Sequence, residues 1–169
     1  MSNPLCPIRA SIVAALLLLL TPDLSAKPAA VTLAGLVQKS SVIVFGRVET
    51  EGGSVSKPGS RWVPFKSSRV LKGDTSLAGR DIQLCNSPPP MREYPDLSKL
   101  MGEIVLFLSA EKDGCFEYSH TTTSVVGVRD GKVTTAAIAD QPIYQPWNVF
   151  LEKLRNLVSK QAREDADPK

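Results

Sequence analysis

The sequence predicts a mainly β domain: a small closed sheet of five short strands, flanked by a short N-terminal helix and a C-terminal amphipathic helix. Three stretches carry this expectation. Val42–Thr50 (VIVFGRVET) is apolar on both faces over Val42–Phe45 and then alternates, so one end is covered twice and the other meets water. Gly46, between the halves, permits a bulge or sharp coil, by which one strand serves both sides of a closed sheet. Glu103–Ser109 (EIVLFLS) is again apolar on both faces, as expected of a strand with core on one side and a helix on the other. Finally, Trp147, Phe150, Leu151, Leu154, Leu157 and Val158 recur at spacings of three and four and form one apolar stripe.

Before the domain stands a leader. Arg9 gives a positive n-region, Ala10–Leu20 is an apolar run shorter than the roughly 20 residues a membrane span needs, and Leu24-Ser25-Ala26 offers a small-residue cleavage site. Residues 1–26 therefore read as a secretory signal peptide, the alternative being an uncleaved anchor. Residues 27–160 then form a single domain, and residues 161–169, with Arg163, Glu164, Asp165 and Asp167 but no apolar stripe, are expected to be a disordered charged tail.

The remaining elements follow in order. Thr32 is placed to cap a short helix carrying Leu33, Leu36 and Val37. Glu51–Arg61, rich in Gly, Ser and Pro, is a hairpin loop. In the second strand, Trp62–Leu71, Phe65 and Val70 share a face only if a bulge lies near Ser67 and Ser68, and Pro64 puts the strand's start at a sheet edge. Asp81–Cys85 is the third strand, with Ile82 and Leu84 on one face. The proline-rich stretch Asn86–Leu100 is a long loop, followed by the fourth strand, an Asp113-Gly114 turn and a fifth strand Cys115–Tyr118, together a meander. Ser124–Val128 and Lys132–Thr134 flank an Asp130-Gly131 turn and form a small ribbon; Pro146 suits the first turn of the last helix.

Of 169 residues, 43% are hydrophobic and 22% charged, and the net charge of +3 is too mild and dispersed for a nucleic-acid surface. Cys6 lies in the leader, which leaves Cys85 and Cys115 as a pair. In an oxidising compartment they are expected to be joined; two free buried thiols remain the alternative, because sequence does not give their separation.

The run SSVIVFGRVET, a strand closing in RVLKG, then DIQLC, GEIVLFL and a DG turn resemble the element order of netrin-like domains. These are OB-fold relatives that include the tissue inhibitors of metalloproteinases; a group of exported bacterial proteins shares the strand pattern. The resemblance spans roughly Ser41–Tyr118 and implies a five-stranded Greek-key, OB-like barrel with flanking helices. In those inhibitors the mature chain begins with a cysteine that chelates the protease zinc. Here it would begin at Lys27, so that mechanism does not carry over.

Chemistry is sparsely signalled. His120 is the one histidine, and it lies among Thr and Ser without a catalytic signature, so it reads as a surface residue. One His and two Cys are too few for a zinc site, and no phosphate-cradling Gly pattern follows a strand. No catalytic, cofactor-binding or metal-binding residue is assigned, and no cofactor is expected. The candidate interaction residues are Pro88, Pro89, Pro90, Met91, Arg92 and Tyr94 in the long loop; Trp62, Tyr94, Tyr144 and Trp147 are further aromatics available for packing or contact. The expected function is an exported, periplasmic or extracellular, non-catalytic binding or protein-interaction module. Its partner would be an envelope or extracellular protein or a glycan, not nucleic acid, with no membrane span after signal cleavage. The alternative is a protease inhibitor that inserts Ser87–Tyr94 as a substrate-like wedge.

Overall fold

The computed structural model describes residues 30–48, 62–85, 102–120 and 123–167. The leader, the loop at 86–101 with its candidate interaction residues Pro88, Pro89, Pro90, Met91, Arg92 and Tyr94, and the side chain of Trp62 lie outside the described residues. Two α-helices are described, α1 (Leu33–Lys39) and α2 (Trp147–Ala166). The strands are β1 (Val42–Val48), β2 (Trp62–Lys72), β3 (Asp81–Cys85), β4 (Glu103–Lys112), β5 (Cys115–Tyr118), β6 (Val125–Arg129), β7 (Lys132–Thr134) and β8 (Tyr144–Pro146).

The first five strands close into a barrel in the order β1-β2-β3-β5-β4, sealed by β4 pairing back onto β1 from Val42↔Leu108 to Arg47↔Glu103. This is the five-stranded OB-like barrel. It corrects the expectation of a simple meander: β4 does not lie beside β3 but crosses to β1, and β3 meets β5 in parallel. The outer edge of β4 is shared along its length, its first half pairing with β6 and its second with β5. From there β6, β7 and β8 continue the sheet off the barrel.

Two cores result, one on each face of β1 and β4. Inside the barrel are Val42, Val44, Val63, Phe65, Ile82, Leu84, Ile104, Leu106, Leu108 and Phe116. Outside it, Ile43, Val105 and Phe107 pack with Val126, Val128 and Val133 against Leu33, Leu36 and Val37 of α1 and Phe150 and Leu154 of α2. The two strands that are apolar on both faces thus have a core on both faces. Trp147 stacks on Phe45 with ring centroids 5.0 Å apart, which fixes the start of α2 over β1.

The bulge is where the pattern requires it. Phe45 is opposite Arg69 and Gly46 opposite Ser67, so Ser68 is the extra residue, and Phe65 and Val70 both reach the barrel core. Pro64 pairs with Gln83 on β3, and its opposite position on the β1 side lies outside the described residues, the described register ending at Val48↔Phe65. Asp113-Gly114 and Asp130-Gly131 all have positive φ, as two-residue hairpin turns with the twist of the flanking strands require. Thr32 caps α1, its Oγ1 accepting from Gly35 N at 3.1 Å.

Two boundaries differ from expectation. The last helix does not stop at Lys160 but runs to Ala166, so the first part of the expected disordered tail is helical. Gln161 is fastened from below by Lys72, and Lys160 lies 3.7 Å from Glu164 one turn on, contacts that a search for an apolar stripe does not register. Strand β8 was not anticipated, since three residues bounded by Pro142 and Pro146 show no alternating pattern.

Candidate functional site

Cys85 ends β3 and Cys115 opens β5, and the two form a disulfide with Cα atoms 5.2 Å apart. Parallel strands would place these two ends at opposite rims if paired full length. They pair only at Leu84↔Phe116, so the end of one lies beside the start of the other. Cys115 is buried, whereas Cys85 is half-buried.

Lys72, at the end of β2, joins three elements through one side chain. Its Nζ donates to Val37 O at 2.7 Å, Ser40 O at 2.5 Å and Gln161 Oε1 at 2.8 Å, joining the last turn of α1 to α2. An ammonium at a helix C-terminus satisfies carbonyls that have no partner within the helix. Burial lowers the Lys72 pKa from its ordinary 10.5, and the carboxylate of Asp165 works against that shift. Two open clefts flank the same stretch of α2. One, about 420 Å³, is lined by Val37, Leu157, Gln161 and Asp165; the other, about 320 Å³, by Leu71, Lys72, Val158 and Asp165. With three acceptors around its three protons, Lys72 is a structural tie and not a free cation waiting for an anion.

His120 is half-buried at the surface and is held within its own turn. Its Nδ1 lies 2.6 Å from Thr123 Oγ1, and its backbone N–H donates to Ser124 Oγ at 2.5 Å. Among the described residues no group of three or more His, Cys, Asp or Glu is placed to hold a metal ion, and no helix is long and apolar enough to cross a membrane.

Among the described residues, the large exposed apolar side chains gather at one place. Ile143 is 58% exposed, Tyr144 68% and Val149 40%, all within seven positions at β8 and the first turn of α2. Thr135 N donates to Ile143 O and Trp147 N to Gly131 O, which makes Thr134↔Tyr144 the non-hydrogen-bonded pair between β7 and β8. The N–H and C=O of Tyr144 therefore point away from β7, to the free edge of the sheet. Gln145 turns inward, its side-chain amide donating to Gln141 Oε1 at 3.1 Å, and Thr135 Oγ1 donates to Pro142 O; together these hold the edge in place. Of the aromatics noted in the sequence, Trp147 packs and Tyr144 is presented to solvent. No search for alternation finds Tyr144; in the sequence it stands out only as one of four aromatics available for packing or contact.

The chain matches no protein-family model, no curated protein and no solved structure.

Proposed function

We propose that the chain is an exported, non-catalytic interaction module that docks an extended segment of another envelope or extracellular protein at the free edge of β8. The observation that carries this reading is Tyr144: 68% exposed, flanked by exposed Ile143 and Val149, with its backbone donor and acceptor directed outward. Those groups suit an added strand, whose main chain supplies the complementary pair. Pro142 and Pro146 limit the contact to about one residue's hydrogen bonds, so apolar contact carries most of the affinity and the association is short-lived.

Export is supported by the leader pattern of Arg9, Ala10–Leu20 and Leu24-Ser25-Ala26, and by a disulfide suited to the periplasm or extracellular space. The closed strand order and the helices packed on β1 and β4 are compatible with the netrin-like resemblance of the sequence. The non-catalytic assignment rests on the lone histidine being engaged within its own turn.

A photo-reactive phenylalanine analogue at position 144 of the exported protein is expected to give a discrete adduct that Ile143→Asp abolishes. The same analogue at position 74, exposed in the turn after β2, is expected to give none. No adduct from position 144, or equal adducts from both positions, overturns the reading.

A further inference from the structure

We infer that the Cys85–Cys115 disulfide is a releasable clasp on the barrel: when a dithiol opens it, the seam between β3 and β5 parts and uncovers the barrel core while the rest of the molecule stays folded. The argument starts from how unevenly the barrel is sewn. β1 pairs with β4 from Val42 to Arg47, and β2 with β3 from Trp62 to Lys66, but β3 meets β5 at the single register pair Leu84↔Phe116. The covalent bond lies at this one seam, beside that pair. Elsewhere hydrogen bonds close the barrel; here a bond that can be exchanged does.

Opening is local for a topological reason. β3 keeps its full pairing with β2, and β5 keeps its antiparallel pairing with β4 through Leu108↔Tyr118, Glu111↔Phe116 and Lys112↔Cys115. No strand loses its last partner. The outer core, built on Phe107, Phe150, Leu154 and α1, contains no residue of β3 or β5 and does not depend on the seam. What parting uncovers is apolar: Leu84 is 0% exposed and Phe116 6% when the clasp is closed.

The chemistry is thiol–disulfide exchange with a dithiol of the kind oxidoreductases carry. A reductant thiolate attacks Sγ of Cys85, the less buried of the two residues; the Sγ–Sγ bond breaks and Cys115 leaves as a thiolate that takes up a proton. The second reductant thiol then attacks the mixed disulfide, releasing Cys85 as a thiolate that is protonated in turn. Two electrons pass to the protein, which gains two thiols, and the reductant is left as a disulfide.

The test is backbone hydrogen exchange on the full chain, oxidised, after dithiothreitol treatment, and as Cys85→Ser/Cys115→Ser. On reduction, exchange of the amides of 81–85 and 115–118 is expected to accelerate at least about tenfold more than that of 42–48 and 150–154, and the double variant to match the reduced protein. Uniform acceleration across the chain, including outright unfolding of the variant, would make the bond a general staple and overturn the inference; so would unchanged exchange at 81–85 and 115–118.

Discussion

Gly46 shows how much one missing side chain decides. A Cβ there would lie 2.0 Å from Lys66 O and 3.0 Å from the tip of the Phe65 ring, so the β1–β2 crossing at the bulge depends on glycine. Gly46→Ala is expected to cost at least about 2 kcal/mol in urea unfolding, because backbone rather than a flexible side chain must give way. A variant as stable as wild type would mean that the two strands separate there freely. Lys72 is a second decisive residue, and its ionisation has a sign. Burial lowers its folded pKa below the ordinary 10.5, so the folded state releases this proton before the unfolded chain does. The penalty for burying the charge is in full force below the folded pKa and is relieved as pH rises through the window up to 10.5, which makes the contribution grow with pH. Hence the stability advantage of wild type over Lys72→Met should be larger at about pH 10 than at about pH 7; an advantage that shrinks with pH would show that the Asp165 interaction outweighs desolvation.

Among elements, α2 is the largest single cover of the outer core. Phe150 and Leu154 are fully buried, so Phe150→Ala should cost about 3 to 5 kcal/mol and Leu154→Ala about 2 to 5 kcal/mol, each lowering the melting temperature of the whole domain in calorimetry. Melting like wild type would detach the helix from the fold. This role was legible in the sequence because six apolar residues keep helical spacing, and the five barrel strands were legible for the matching reason that alternation and double coverage leave period-two or continuous patterns. Other features left no such trace. The last turns of α2 rest on a lysine thirty-five positions from the α1 carbonyl it grips and eighty-nine from Gln161, contacts that no local pattern encodes. β8 is too short to alternate, and its pairing with β7 is fixed by the docking of α2 behind it. Tyr144 was therefore legible only as one aromatic among four and not as part of a strand edge, while the loop residues singled out first belong to the stretch outside the described residues.

At the scale of the whole molecule, the disulfide closes a loop of sequence separation 30, worth roughly 3 to 4 kcal/mol in the chain-entropy model, a large share of the stability a domain of this size has. The loop it closes contains β4, the strand on which both cores meet. That placement has a consequence for biosynthesis. A chain made from its N-terminus presents Val42–Phe45 early, with β4 some sixty-six residues behind and Phe150 more than a hundred behind. At about 5 to 20 residues per second, β1 has α1 before it and β2 soon after it, but waits roughly 3 to 13 seconds for β4 to close the barrel and longer still for α2. Until then the edge of β1 that β4 takes, and the part of its outer face that α2 covers, lack their native partners. A ribosome-bound chain is thus a client for whatever holds unfolded polypeptides in its compartment, and a product cut short before α2 never acquires the lid on its second core.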